Sequence, residues 1–318
     1  MDLSFPKAKF VHELGQLADL LFVVRHRQIM ADDRPSCAVF SIVASGLLGR
    51  TNQQFPSIWL SLRHPSSGVS FGDLASAAVE SRAPIDVSNK PALWGGMMRG
   101  TEATLMVQSS LDYQRATDED HACDLIQAHL IEVLSCIGRE WMDLYYLRVE
   151  TMPEEYQLSG ALQALELAKQ EGHVKHIGLS CAGIPFAALG AWQFHDAFET
   201  LLVPRSYSDG DAYQVLSPLA KERRVGIVTS QPFRSGNTNW LYDAAADPTV
   251  TLEDRDSLML DVLAGLSNEH PVLVDVDSPR KIELAVQAAS RGIQPDTAQR
   301  VADFVGRFHG EPIGTGKP

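Results

Sequence analysis

Short apolar runs alternate with longer amphipathic stretches along most of the chain. The apolar runs have the length and residue types of buried strands; they are Ser57–Leu62, Pro84–Val87, Thr104–Ser109, Met142–Val149, Val174–Ser180, Thr200–Pro204, Val225–Ser230 and Pro271–Val276. Between them the apolar positions recur at helical spacing, most clearly over Asp118–Ile137, Glu155–Gln170 and Ser278–Ser290. Strands that are apolar on both faces and separated by helices form parallel sheets. The pattern therefore predicts an α/β fold, a closed (β/α)8 TIM barrel. A doubly wound open sheet is the alternative, but the chain has no GxGxxG turn.

Residues 1–45 stand outside this alternation, so we expect an N-terminal extension (1–45) followed by one barrel domain (46–318). Within the extension, apolar positions follow helical spacing at Phe10, Leu14, Leu17, Leu21 and Val24, which predicts an amphipathic helix. This helix either packs on the barrel, covers its mouth as a lid, or forms the contact of a homodimer.

Composition narrows the classes of partner. The 318 residues are 45% apolar and carry a formal net charge of −13, a balance that disfavours nucleic acid and anionic membrane surfaces. The run Leu17–Val24 is too short to cross a bilayer. The four cysteines form no CxxC pair, and we expect no metal site and a reducing, cytoplasmic location. The expected partner is a small-molecule substrate.

Several segments, in order, resemble the motifs of the aldo-keto reductase family. They are LGRT at Leu48–Thr51, PIDV at Pro84–Val87, DLY at Asp143–Tyr145, GHVKHIGLS at Gly172–Ser180 and PLAKE at Pro218–Glu222. The resemblance implies a TIM barrel that reduces carbonyl compounds with NADPH. It also implies four catalytic groups at the carboxyl ends of the strands: an aspartate, a tyrosine, a lysine and a histidine.

Only the first of these four groups is present at its expected position, as Asp86. The loop that carries the tyrosine is missing, and Trp94 follows in the next helix. The lysine position holds Ser109 and the histidine position holds Arg148. An arginine does not release its proton readily, but it binds a carboxylate or phosphate through two parallel hydrogen bonds. Tyr113, just past the third strand, is a candidate replacement phenol.

The positions that hold the cofactor in the family have changed as well. Ser180 and Cys181 stand at the nicotinamide-binding pair, with Leu202 and Arg205 on the next strand. If NADPH binds, the resemblance places it against Ser180, Arg205, Arg234, Ser278, Arg280 and Lys281. The phosphate segment, however, contains Asp275 and Asp277 and has Ala285 in place of an asparagine. Because carboxylates repel a phosphate, we expect from the sequence that no cofactor binds.

The sequence thus favours a non-reductive enzyme, of the lyase, dehydratase, cyclase or isomerase type, that acts on a small oxygenated and anionic metabolite. Asp86 is the expected acid or base, Arg148 and Arg205 bind the anion, and Trp94 forms an apolar wall. The remaining substrate contacts are expected from Ser180, Cys181 and Arg234, with Cys181 also a candidate nucleophile. Two alternatives stay open: an NADP(H)-dependent oxidoreductase with a remodelled site, and an inert binding or regulatory protein.

Overall fold

The structure is a computed structural model and describes residues 44–193, 195–235, 238–241 and 249–309. The strands are β1 (Ala44–Leu47), β2 (Gln54–Pro56), β3 (Ile58–Leu62), β4 (Ile85–Asp86), β5 (Leu105–Gln108), β6 (Met142–Val149), β7 (Val174–Cys181), β8 (Thr200–Pro204), β9 (Gly226–Ser230), β10 (Arg234–Ser235), β11 (Thr238–Asn239) and β12 (Val272–Val276). The helices are α1 (Phe71–Glu80), α2 (Pro91–Met98), α3 (Glu119–Ile137), α4 (Glu155–Gln170), α5 (Pro185–Gln193), α6 (Asp211–Arg223), α7 (Leu252–Ser267), α8 (Pro279–Ala289) and α9 (Thr297–His309). Short 3-10 turns occupy Gly49–Thr51 and Asp112–Arg115.

Eight parallel strands close into a barrel in the order β12-β3-β4-β5-β6-β7-β8-β9. Each predicted strand corresponds to one barrel strand, and the three predicted helices correspond to α3, α4 and α8. The (β/α)8 prediction is confirmed. The longest pairing joins β6 to β7 and brings Arg148 opposite Ser180 at its end, so the two residues reach the same face of the barrel.

Side chains alternate between two cores, because successive residues of a strand point to opposite faces. In β6, for example, Tyr145, Leu147 and Val149 belong to the larger core between strands and helices. Leu144 and Tyr146 belong to a smaller inner cluster, whose other members are Leu48, Phe55, Trp59, Met106, Leu202, Val228 and Leu273. The inner cluster fills the lower barrel, so the open space lies at the carboxyl ends of the strands.

A hairpin made of β1 and β2 supplies two members of the inner cluster. Leu48 and Phe55 are 3% and 5% exposed, and Phe55 packs against Trp59 with ring centroids 5.4 Å apart. Gly49 has φ +51°, and a side chain there would overlap with the backbone of Gly226. The hairpin closes the amino end of the barrel, and the sequence pattern did not predict it.

The last helices are fastened by a buried carboxylate. Asp261 on α7 has no exposed side-chain surface and pairs with Arg291, at 2.7 Å, and with Arg300 on α9. Burial of an ion is costly unless it is paired, so these two arginines hold the end of α8 and α9 against α7.

The predicted N-terminal helix, together with its suggested lid or dimer role, lies outside the described residues. Within the described ranges, no helix is long and apolar enough to cross a membrane. In the same ranges, no group of side chains has the composition of a metal site.

Candidate active site

Polar side chains form a ring where the barrel strands end. They surround a cavity of about 360 Å³. Seven of the eight barrel strands contribute a polar residue to its wall, namely Ser61, Asp86, Gln108, Arg148, Ser180, Ser230 and Asp275. Catalytic groups in TIM barrels collect at this carboxyl face, so the cavity is the candidate active site.

Asp86 lies at the centre of a hydrogen-bond network. Its Oδ1 accepts from the backbone N–H of Ser88 at 2.9 Å and from the Ser88 hydroxyl. Its Oδ2 has longer contacts, 3.3 Å to the Ser61 hydroxyl and 3.4 Å to the amide of Gln108. The side chain is 3% exposed. Burial raises the pKa of Asp86 above its usual value, and the bonds from Ser88 and the charge of Arg63 only partly oppose the rise.

Gln108 joins Asp86 to Ser180. The Ser180 hydroxyl donates to Gln108 Oε1 at 2.7 Å, while the Gln108 backbone N–H donates to the Ser88 hydroxyl at 2.7 Å. The sequence placed Ser109, not Gln108, in the site. That placement is wrong by one residue, and one residue along a strand reverses the direction of the side chain. Ser109 instead accepts a hydrogen bond from the backbone N–H of Arg148 at 3.0 Å.

Arg148 does line the cavity, as the sequence predicted. Its Nη2 donates to Glu150 in an ion pair whose side chains are 41% and 37% exposed. The Nε of Arg148 is enclosed and has no hydrogen-bond partner in the described part of the chain. The main chain of Arg148 is hydrogen-bonded on both sides, because the Ser109 hydroxyl accepts from its N–H and the Tyr113 hydroxyl donates to its C=O at 2.9 Å.

The carboxylates near the expected phosphate position are already neutralised. Asp275 pairs with Arg63 at 2.8 Å, and Asp277 pairs with Lys281 at 2.7 Å. The repulsion that the sequence implied is therefore balanced by Arg63 and Lys281.

Besides Ser109, three more predicted site residues point away from the cavity, and two of them are Trp94 and Arg205. Trp94 is 1% exposed and packs in the helix layer against Phe71, with ring centroids 5.4 Å apart, so it forms no wall of the cavity. Arg205 pairs with Glu269 at 2.7 Å and stacks over Tyr213 at 4.1 Å, away from the cavity.

Tyr113, the third of these residues, is also unsuited to act as a catalytic acid. The side chain is fully buried, its hydroxyl is engaged by Arg148, and burial raises its pKa above the usual value. A phenol in this setting keeps its proton and acts as a hydrogen-bond donor to the main chain. Its role as a replacement catalytic phenol is not supported by this geometry.

The remaining candidates have structural partners. Cys181 lines the cavity, but burial raises the pKa of its thiol to about 11, which disfavours the nucleophilic thiolate. Arg234 contacts Asp209 at 3.2 Å and Gln231 at 2.9 Å. Ser278 caps α8 by accepting from the Lys281 N–H, and Arg280 pairs with Asp256 and Glu283 on the outer surface.

Sequence reasoning missed Ser61, Arg63, Ser88, Gln108, Ser230 and Gln231, all of which line the cavity. For those that lie within strands, the alternation of side chains between the two faces of each strand could have identified them. Once Asp86 is assigned to the inner face, counting by two residues along the neighbouring strands selects the inward positions.

Comparison with solved structures shows that the chain has the fold of the aldo-keto reductases. An aldo-keto reductase enzyme from a Medee basin deep-sea metagenome library is 13% identical, with a TM-score of 0.61 over 86% of this chain and 100% of its own. An aldo-keto reductase from Klebsiella pneumoniae in complex with NADPH is 12% identical, with a TM-score of 0.59 over 82% and 95%. The holo form of one from Bacillus halodurans is 14% identical, with a TM-score of 0.59 over 81% and 94%.

No protein-family model and no curated protein matches the sequence. The resemblance seen in the motifs is thus borne out at the level of the fold. The expectation of a barrel without a cofactor is wrong by this comparison, since the structures that share the fold include an NADPH complex and a holo form. The neutralised Asp275 and Asp277 remove the electrostatic reason for that expectation.

Proposed function

We propose that this chain is an oxidoreductase that binds NADP(H) at the carboxyl face of its barrel and acts on a small polar carbonyl or alcohol substrate. The observation that carries the proposal is the buried acid Asp86, with its raised pKa, on the wall of a polar cavity in a barrel with the aldo-keto reductase fold. The reductases that share this fold support the cofactor assignment.

The residues around the cavity fit a nicotinamide cofactor by their hydrogen-bonding chemistry. The Ser180 hydroxyl and the side-chain amides of Gln108 and Gln231 match the donor and acceptor groups of a carboxamide. Arg234 and Lys281 are candidates to contact phosphate oxygens, each from within an existing ion pair. The bound cofactor would supply the hydride.

Asp86 supplies the proton in this proposal. Reduction of a carbonyl needs an acid that holds its proton near neutral pH, and burial moves the pKa of Asp86 in that direction. Oδ1 already accepts two hydrogen bonds from Ser88, whereas the contacts of Oδ2 are longer, at 3.3 and 3.4 Å, so we place the proton on Oδ2. Ser61 can turn its hydroxyl to accept from that proton.

The test separates cofactor binding from turnover. Purified protein is titrated with NADPH by calorimetry and by cofactor fluorescence, and NADPH oxidation is then followed with a panel of small aldehydes and ketones. We expect saturable NADPH binding and turnover of at least one carbonyl. Asp86→Asn should keep the binding and lose turnover, whereas Asp303→Asn, an exposed aspartate on α9, should keep both. Absence of NADPH binding at millimolar concentrations would refute the proposal.

One outcome of this test favours the reaction class that the sequence preferred. If NADPH binds but no carbonyl compound of the panel is reduced, a non-reductive reaction becomes the better hypothesis. The lack of a tyrosine, lysine or histidine on the cavity wall, in the part of the chain that is described, is the observation behind it. No comparison supports that reaction class.

A further inference from the structure

We propose that Arg148 selects substrates that carry a carboxylate, so that the substrate is a small anionic carbonyl or hydroxy compound. The inference rests on the proposed function for the reaction, although its binding part can be tested without any turnover. Arg148 stands on the cavity wall, at the end of β6, beside the cavity-lining Ser180.

The guanidinium group has hydrogen-bonding capacity to spare. A guanidinium carries five N–H donors, and the ion pair with Glu150 engages only Nη2. The Nε–H is enclosed without an acceptor among the described residues. A buried donor without a partner is unfavourable, so the pair with Glu150 leaves the guanidinium group incompletely satisfied. The Arg148 side chain keeps 41% of its surface exposed, so a carboxylate in the cavity can accept two parallel bonds from the outer N–H groups of the guanidinium.

The existing partner does not prevent this. Both members of the Arg148–Glu150 pair keep more than a third of their side-chain surface exposed, and exposed ion pairs contribute little to stability. Glu150 can therefore share the guanidinium with a ligand or move aside into solvent. Arg63, the other cation among the described residues of the wall, is paired with Asp275 at 2.8 Å.

The main chain of Arg148 is held in place before any ligand arrives. Ser109 and Tyr113 bind its N–H and C=O from two different elements. Next to it, the backbone of Gly183 approaches Glu150 so closely that a side chain would overlap with the Glu150 carbonyl. Preorganised groups bind with less loss of conformational freedom, so Ser109 and Tyr113 are positioning residues for Arg148.

The binding test uses matched pairs of probes on the full-length protein. Lactate, malate and succinate are titrated by calorimetry or by ligand-observed NMR, each against its neutral amide, for example lactamide. We expect at least one carboxylate to bind more tightly than its amide by roughly tenfold, as a charge-assisted bond requires. If no carboxylate binds in preference to its amide, the proposal is refuted.

Variants identify the residue responsible. Arg148→Gln should abolish the preference for the carboxylate, and Arg148→Lys should restore part of it. Glu150→Gln should tighten carboxylate binding, because it removes a competing negative charge; a merely structural pair would show no such gain. Arg115→Gln is the matched control, since Arg115 also pairs with a nearby carboxylate, Asp112 at 3.6 Å, but lies 85% exposed outside the cavity. Equal losses in the Arg148 and Arg115 variants would overturn the assignment.

The two proposals fail in different ways. Carboxylate binding without any NADPH binding would leave Arg148 as the anion-selecting residue and remove the oxidoreductase. NADPH-dependent reduction of neutral carbonyls, with no preference for their carboxylate analogues, would keep the oxidoreductase and refute the role of Arg148.

Discussion

Tyr113→Phe tests whether the hydrogen bond from Tyr113 to the Arg148 main chain contributes to stability alone or also positions Arg148 for ligand binding. The substitution removes only a hydroxyl, which donates to the Arg148 C=O at 2.9 Å and accepts from the Gln114 amide at 3.3 Å. The side chain is fully buried, and its raised pKa keeps it protonated. The effect should therefore not vary with pH over the neutral range.

The structure sets the expected magnitude. One neutral bond to a carbonyl is lost and phenylalanine offers that carbonyl no donor in its place, which costs about 1–2 kcal/mol of unfolding free energy. For a chain of this size such a loss lowers the melting temperature by a few degrees. If this hydrogen bond positions Arg148, the affinity of the Tyr113→Phe variant for a carboxylate should also fall, by roughly threefold to tenfold.

Tyr145→Phe is the matched control. Tyr145 is also fully buried and engages His129 with its hydroxyl at 2.7 Å, in the layer between β6 and α3. It should lose a similar amount of stability in urea denaturation and leave carboxylate affinity unchanged in calorimetry. If both variants weaken binding equally, the effect follows stability and the positioning role of Tyr113 is refuted. If Tyr113→Phe loses stability but not carboxylate affinity, the hydrogen bond from Tyr113 has a structural role only.

Three further predictions concern stability. The folded state holds the Asp86 proton more tightly than the unfolded chain, because the pKa of Asp86 is raised in the fold. The free energy of unfolding should therefore fall as the pH rises from about 4 through the folded-state pKa. Each tenfold difference in proton affinity between the two states is worth about 1.4 kcal/mol. Urea midpoints measured against pH should show this fall in the wild type and a smaller one in Asp86→Asn. Asp261→Asn should cost about 3 kcal/mol in the same assay, because it leaves two partly buried arginines facing each other without a carboxylate. Gly49→Ala should destabilise more than Gly68→Ala: both glycines have positive φ, but only the former would overlap with Gly226, and equal melting temperatures would contradict the packing of the hairpin.

The fold was predictable because its signals are long and redundant. Strands that are apolar on both faces and helices with a clear period repeat along the chain, so an error at one boundary leaves the architecture unchanged. The helix α3 shows this well, since the sequence places its start at Asp118 and the structure uses Asp118 as the cap. The β1–β2 hairpin gave no such signal, as its strands have four and three residues.

The site was less predictable because it depends on single residues. Asp86 and Arg148 were placed correctly in the cavity, whereas a shift of one residue selected Ser109 in place of Gln108. Arg205 could not be placed from the sequence either. Its partner Glu269 is 64 residues away, and only the closure of the barrel brings the two together.

The composition of the cavity wall limits how a proton can move in any reaction there. Among the described wall residues, the guanidinium groups of Arg63 and Arg148 stay protonated, Cys181 has its pKa raised to about 11, and Asp275 is bound to Arg63. Asp86 is left as the wall carboxyl in the described ranges whose pKa burial raises above its usual value, in the direction of neutral pH. A reduction, an isomerisation or an elimination in this cavity would therefore share the same acid or base. The reaction class then depends on what stands opposite Asp86, which is why cofactor binding and the charge of the substrate are the two properties to measure.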